Sequence, residues 1–296
     1  MLNRNLNRPM APSRAVAQPG APAASRAGAF PRGAVAVAIL FMGELRRSWV
    51  LFRRYPLQAI SGIGMTLFLF LGLVFGARYM AGPMARFGDR LGSLVVGYIL
   101  WNVLIFAMGE IAMGLQGEAQ IGTLEQLFLS PRSMVTVFLV RALANQVLIL
   151  GISALALVII LVTTGVRLDF PPVLVLPLLS ALTGVYGLGF VLGSLVLVFK
   201  RIGPVLSFAQ FGLALLIMPP FESGGRHAFD AFDLLPLVPS AVLLRDLMAR
   251  SLPLDLPSFV LAVANGIAYL ALGVLTFHWA QKRAMEQGLL GSYRLQ

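Results

Sequence analysis

The chain has 296 residues, of which 58% are hydrophobic and only 12% are charged, and its formal net charge is +11. Soluble domains carry roughly 25% charged residues, and a soluble protein could not bury this much apolar side chain because its surface must be wetted. The composition therefore predicts an all-α integral membrane protein. The sequence has no cysteine, which excludes disulfides, thiolate metal sites and a cysteine nucleophile.

Residues 1–33 differ in composition from the rest of the chain. They contain five arginines, many Ala, Pro and Gly, and no acidic residue. Such a segment has too little large apolar surface to offset the entropy of ordering it, so we expect a disordered basic tail. A cleaved signal peptide is a weaker interpretation, because Gly-Glu-Leu-Arg-Arg follows the apolar run Ala34–Met42 where a small-residue cleavage site would stand.

Residues 34–56 have the pattern of an amphipathic helix. Apolar residues that include Trp49 recur at helical spacing, while the arginines at 46 and 53, and at 47 and 54, lie two turns apart on another face. Aromatic and arginine faces together are typical of a helix that lies in the membrane interface. We expect that helix on the cytoplasmic side, with Arg46, Arg47, Trp49, Arg53 and Arg54 at the lipid surface. A solvated helix is the alternative.

Residues 57–296 contain six apolar stretches that approach the roughly 20 residues needed to cross a bilayer. They are Leu57–Ala77, Ser93–Met113, Ala142–Val162, Pro172–Phe199, Pro204–Pro220 and Val260–Ala280. Six spans put both termini on one side together with most of the 23 Lys and Arg residues. The positive-inside rule then favours cytoplasmic termini in the cell membrane. The basic charge follows from this topology and requires no nucleic-acid partner.

Residues 114–134 join the second and third predicted spans. Ile121, Leu124, Leu127 and Phe128 would share one helical face, and Glu118 and Glu125 the other. The segment thus predicts a short amphipathic helix on the cytoplasmic side, closed by Ser130-Pro131. An ordinary surface-lying connector has the same periodicity.

This segment also carries a family resemblance. The pattern Glu118-x-x-x-Gly122-Thr123-Leu124-Glu125-x-Leu127-x-x-x-Pro131, placed after a second span, resembles the hallmark of type-2 ABC exporter permeases. The chain looks most similar to the daunorubicin-resistance type of export permease, and the resemblance covers residues 35–296. The family often has charged residues between the first Glu and the Gly, where Ala119, Gln120 and Ile121 stand here.

The resemblance implies the transmembrane subunit of an ATP-driven exporter of a drug, a lipid or a lipid-linked glycan. The segment 114–134 would be the coupling element that docks on a separate nucleotide-binding ATPase subunit, with Glu118, Gly122, Thr123, Leu124, Glu125, Leu127, Phe128 and Pro131 as its contact residues. Two permease copies would pair in the membrane. ATP and Mg would bind the partner, because this chain has only two lysines, Lys200 and Lys282, neither in a phosphate-binding glycine loop.

Residues 221–257 precede the last predicted span and mix aromatic with acidic residues. They are too polar to span and too apolar to be a free loop, so we expect short helices that re-enter the outer leaflet, shielded by protein. Pro236, Pro239 and Arg245 look like the outer region of the same family. With Glu222 they would shape an outer exit. A lid with only a packing role is the alternative.

Two rival classes remain from the residues alone. An ion-coupled secondary transporter would need an ionisable residue within the spans, and Glu110 is the candidate, with Asn102, Asn145, Gln146 and Asn265 as polar company. We expect Glu110 about a turn from the cytoplasmic end of its span, paired with Arg141. A membrane enzyme is least supported, because His227 and His278 are far apart and no metal-ligand motif is present.

The fourth predicted span is rich in glycine, at positions 184, 187, 189 and 193. Small residues on a membrane helix let a second backbone approach closely. We therefore expect tight helix packing at this span, within one subunit.

Overall fold

The computed structural model describes residues 33–81, 88–124, 133–199, 201–218 and 231–286. Within these ranges each regular element is helical, which confirms the all-α class. The α-helices are α1 (Ala34–Arg54), α2 (Pro56–Ala81), α3 (Gly88–Ile121), α4 (Met134–Thr164), α5 (Val175–Phe199), α6 (Gly203–Ile217), α7 (Val238–Ala249) and α8 (Leu256–Glu286). Short 3-10 turns cover Pro172–Leu174 and Ala231–Leu234. The predicted tail lies outside the described residues except for Gly33.

Four helical stretches are long and apolar enough to cross a membrane: Leu91–Ile121, Met134–Thr164, Pro172–Phe199 and Leu256–Glu286. Each exceeds the roughly 20 residues that a bilayer core requires, and the third has the predicted bounds. These four stretches indicate a membrane protein. The apolar stretches Ile60–Gly76 in α2 and Gly203–Ile217 in α6 are shorter, so a total of six spans stays a prediction.

Local sequence explains several helix ends. Helix α1 stops at Tyr55 because Pro56, which has no N–H to donate, begins α2. Helix α4 ends at Gly165, which has φ +70° and donates its N–H to the Leu161 carbonyl at 2.9 Å. This left-handed glycine is a common helix C-cap. The segment predicted at 34–56 therefore forms a helix of its own, and one side of this helix packs against α4.

The core forms around α3 and α5, and α5 also packs along α8. Two glycines make that second contact close. A Cβ on Gly187 would lie 2.1 Å from the Tyr269 carbonyl oxygen, and a Cβ on Gly273 would lie 2.1 Å from the Gly187 carbonyl oxygen. Only glycine allows this approach, so the expected tight packing of the glycine-rich span within the chain is confirmed.

Helix α7 is short and buried on almost every side. Ten of its residues, among them the charged Arg245 and Asp246, are buried. It lies against α3, α5 and α8. The expected short helices before the last span are therefore present as the 3-10 turn Ala231–Leu234 and α7. That they re-enter a membrane stays a prediction.

Candidate functional site

The predicted coupling element begins inside α3. The helix runs through Glu118 to Ile121, and the chain turns at Gly122, which has φ +77°. The helix predicted within residues 114–134 therefore does not run unbroken through Gly122. Ile121 is exposed and Leu124 is buried, because the turn at Gly122 separates the two residues that were expected to share a face. Residues Glu125, Leu127, Phe128 and Pro131 lie outside the described part of the chain.

A cluster of charged residues joins three helices beside this turn. Arg141 of α4 donates from Nη1 to Glu118 Oε1 of α3 at 3.0 Å, and from Nε to Glu44 Oε1 of α1 at 3.4 Å. Glu44 also pairs with Arg47 at 3.3 Å. The Arg141, Glu118 and Glu44 side chains are about 80% buried or more. We call Glu44, Glu118 and Arg141 the charge cluster.

The charge cluster extends directly to the turn after α3. The Thr123 hydroxyl donates to Glu118 Oε2, and the Thr123 N–H donates to the Glu118 carbonyl at 3.2 Å. Glu118 therefore binds the turn with one carboxylate oxygen and Arg141 with the other. These bonds connect the turn at 122–124 to α4 and, through Arg141, to α1.

The expected direct pair of Glu110 with Arg141 is not formed. Arg141 pairs with Glu118 and Glu44 instead, and Glu110 Oε2 accepts a hydrogen bond from Asn145 Nδ2 at 2.8 Å. Helix α3 continues past Met113 to Ile121, so Glu110 lies about three turns from the end of the helix. Its distance from the cytoplasmic end of the membrane span stays a prediction.

A cavity of about 440 Å³ lies between α1, α2, α3 and α4. Its polar lining combines charged groups with amide and hydroxyl groups: Glu44, Arg47, Ser48, Thr66, Asn102, Glu110, Arg141, Asn145 and Ser153. Its apolar lining includes Leu51, Phe52, Phe106, Leu148, Ile149 and Ile152. The charge cluster thus stands at one part of the cavity wall, and Glu110 stands at another.

Thr66 forms a polar junction between α2 and α3 at the same cavity. Asn102 Nδ2 donates to the Thr66 hydroxyl at 3.3 Å, and the Tyr98 hydroxyl donates to the Thr66 carbonyl at 2.7 Å. Thr66 in turn donates to the Gly62 carbonyl at 3.0 Å. Sequence reasoning singled out Asn102 but missed Thr66 and Glu44. The sequence signal that could have identified Glu44 is that it stands as the single acidic residue in the arginine-rich segment that forms α1.

The four arginines of α1 lie on its exposed face. Arg46, Arg47, Arg53 and Arg54 are exposed, as is Trp49. The Arg53 guanidinium stacks over the Trp49 ring at 5.5 Å. The exposed face of α1 is therefore basic and aromatic together, while the side that carries Glu44 packs against α4.

The outer-segment residues are distributed between a turn and α7. Pro236 lies in a turn, Pro239 is in the first turn of α7, and Glu222 lies outside the described residues. Arg245 is 3% exposed and passes over Gly97 of α3, where an added Cβ would meet its Nη2 at 2.9 Å. Its Nε and Nη2 atoms form no hydrogen bond to the described residues.

The described residues contain no group of three His, Cys, Asp or Glu side chains able to hold a metal ion. His278 lies on α8 with Nδ1 2.8 Å from the Val274 carbonyl oxygen, and His227 is outside the described ranges. No protein-family model matches this chain, and a search of curated proteins finds no similar sequence.

Proposed function

We propose that this chain is the transmembrane subunit of an ATP-driven exporter that moves an amphipathic or lipid-like substrate out of the cytoplasm. The observation that carries the proposal is the connection of Glu118, in the segment resembling the coupling element, to both Thr123 and Arg141. A separate ATPase subunit docks on the segment that follows α3, and ATP and Mg bind there. The chain crosses the cell membrane six times, with α2 and α6 as the two shorter spans and both termini in the cytoplasm.

The charge cluster supports a mechanical role for that segment. When the ATPase closes around ATP, it displaces the turn at Gly122. Glu118 and Arg141 pass the displacement to α3 and α4, and Glu44 passes it to α1. Because α1, α3 and α4 all line the 440 Å³ cavity, the same displacement changes the cavity. Charge-assisted hydrogen bonds suit this task because their geometry is directional.

The proposal includes two further partners. A second permease copy completes the transporter, as the family resemblance implies. Membrane lipids contact the exposed basic and aromatic face of α1, where Trp49 and Arg53 stack. The positive charge of the chain is used at this surface and for topology, and nucleic acid has no part in the mechanism.

Co-purification with the ATPase encoded beside this gene tests the proposal. The wild-type chain is expected to retain the ATPase in mild detergent, while Glu125→Arg/Leu127→Asp is expected to lose both the ATPase and ATP hydrolysis. A matched control is Glu286→Arg/Met285→Asp on α8, where both residues are exposed. The control should retain the partner. A chain that never retains an ATPase, or a coupling variant that behaves like wild type, would refute the proposal.

A second candidate function is ion-coupled secondary transport through Glu110. The position of Glu110 favours it, since the carboxylate lies about three turns inside α3 and lines the cavity. Transport in vesicles separates the two functions. An exporter needs ATP and survives a protonophore, whereas an ion-coupled transporter stops when the protonophore removes the gradient and ignores ATP.

A further inference from the structure

Four residues form one line along the exposed face of α1. Met42, Arg46, Trp49 and Arg53 follow one another at spacings of four, three and four residues, so they lie on the same side of the helix. All four side chains are exposed, Met42 to 64% and Trp49 to 47%. We call these four residues the α1 stripe. It places two apolar and two cationic side chains on one exposed surface.

The acidic residue of α1 belongs to a different side of the helix. Glu44 is two positions from Arg46, and residues two apart do not share a helical face. Its carboxylate pairs with Arg141 of α4 and with Arg47. Arg46 and Arg53, in contrast, form no ion pair with the residues that the structure describes. The positive charge of the α1 stripe is therefore open to a ligand from outside the described bundle.

Trp49 and Arg53 are held together within the α1 stripe. The Arg53 guanidinium lies 5.5 Å from the centroid of the Trp49 ring. Tryptophan is enriched at the head-group level of membranes, and a guanidinium can donate two parallel hydrogen bonds to one phosphate. The stacked pair thus keeps a phosphate-binding group beside a ring that suits the same depth in a membrane.

The apolar members of the α1 stripe decide between possible anions. A free phosphate or a nucleic acid could pair with the two arginines, but it would leave Met42 and Trp49 in water. A zwitterionic lipid would cover the apolar side chains but carries no net negative charge. An anionic phospholipid offers a phosphate to the arginines and an apolar boundary to Met42 and Trp49 together.

We propose that the α1 stripe is a binding site for anionic phospholipid of the cytoplasmic leaflet and prefers it to zwitterionic phospholipid. Arg46 and Arg53 donate to head-group phosphates, and Trp49 and Met42 lie at the boundary between head groups and acyl chains. This inference rests on the contact between α1 and membrane lipids proposed above. It adds the class of lipid and the residues that select it.

Fluorescence of Trp49 can report which lipid lies at the α1 stripe. The chain has three tryptophans, so Trp101→Phe with Trp279→Phe leaves Trp49 as the single emitter. The full chain is placed in phosphatidylcholine discs with equal fractions of either brominated phosphatidylglycerol or brominated phosphatidylcholine, because bromine quenches a tryptophan that it contacts. We expect stronger quenching by the phosphatidylglycerol, equivalent to an association at least about fivefold tighter.

The two ways in which this experiment can fail have different meanings. Equal quenching by both brominated lipids would overturn the preference while leaving α1 in contact with the membrane. Quenching by neither lipid would overturn the membrane contact as well, and would assign the α1 stripe to an acidic protein partner. The measurement uses no ATP and no ATPase, so its result is independent of the co-purification experiment.

Substitutions in the same single-tryptophan chain locate the preference. Arg46→Gln/Arg53→Gln should make the two lipids quench equally, whereas Arg46→Lys/Arg53→Lys should keep most of the preference because the cations remain. Arg167→Gln/Arg201→Gln is the matched control, since it removes the same charge from two exposed positions outside α1. It should quench like the parent chain. An undiminished preference in Arg46→Gln/Arg53→Gln would overturn the site.

Salt gives a test that leaves both arginines in place. At about 1 M sodium chloride the Debye length is about 3 Å, so most of the preference for phosphatidylglycerol should disappear. Quenching by brominated phosphatidylcholine should persist, because contact with acyl chains does not depend on charge. A preference that high salt leaves unchanged would contradict binding through Arg46 and Arg53, and this result decides alone if the glutamine variant does not purify.

Discussion

Arg141 is the residue through which three helices meet, and its pairing can be measured. A double-mutant cycle of Glu118→Gln and Arg141→Gln should give a coupling of about 1 kcal/mol in the free energy of unfolding, because both side chains are largely buried and bonded at 3.0 Å. Unfolding in mixed micelles with increasing sodium dodecyl sulfate provides the measurement. The control cycle is Lys282→Gln with Glu286→Gln, an exposed pair 4.0 Å apart, which should show no coupling. Equal values in the two cycles would contradict the role of the charge cluster.

Individual residues of the site were predicted better than their partners. Glu118, Arg141 and Glu110 all stood out in the sequence, since charged residues are rare in such an apolar chain. Their connections could not be derived, because a pairing between α1 and α4 depends on how α1 docks. Glu44 reaches Arg141 across 97 positions of sequence. Periodicity describes one helix at a time and contains no information on that contact.

At the scale of whole elements, the close packing of α5 on α8 gives a second prediction. Gly187→Ala or Gly273→Ala places a Cβ within 2.1 Å of a carbonyl oxygen of the other helix, so the helices must separate. We expect a loss of about 1–3 kcal/mol in the free energy of unfolding, measured by the same micelle titration. Gly151→Ala in α4 is the matched control, because no atom lies within 4 Å of the added Cβ.

The control should move in the opposite direction. Alanine is favoured over glycine in a helix interior by up to about 1 kcal/mol, so Gly151→Ala should be neutral or stabilising. A stability loss as large in Gly151→Ala as in Gly187→Ala would show that the close contact between α5 and α8 is not the cause.

Element positions followed from hydropathy, and element ends were less well predicted. The span Pro172–Phe199 has the predicted bounds, because Pro171 before it and Lys200 after it are clear breaks in the sequence. The second span was predicted over Ser93–Met113, and the helix that contains it, α3, continues to Ile121. The residues from Gly114 to Gln120 are compatible with helix, and only Gly122 supplies the left-handed turn that stops it. Polarity marks where a membrane ends, whereas backbone conformation marks where a helix ends.

For the whole molecule, the number of crossings can be tested with labelled cysteines, since the natural chain has none. Arg167 lies exposed in the connection between α4 and α5, and Glu286 ends α8. Six crossings place Arg167→Cys outside the cell and Glu286→Cys inside. We therefore expect a membrane-impermeant maleimide to label Arg167→Cys in intact cells and Glu286→Cys only after permeabilisation.

Four crossings would give a different labelling pattern for these two cysteine variants. If α2 and α6 do not cross, the connection between α4 and α5 moves to the cytoplasm while α8 still ends there. Labelling of Arg167→Cys only after permeabilisation would therefore reduce the bundle to the four long helices. It would also put the turn at Gly122 outside, where no ATPase could dock.

The burial of α7 constrains the order in which the helices can pack together. Ribosomes release α7 before α8, yet α7 carries Arg245 and Asp246 and rests on α8. Burial of a charged side chain is costly unless protein packs around it, so α7 cannot reach its buried position until α8 has been made. The bundle is therefore completed only after synthesis of α8. A ribosome that stalls before residue 256 therefore leaves Arg245 and Asp246 on a helix without the neighbour that helps to bury it.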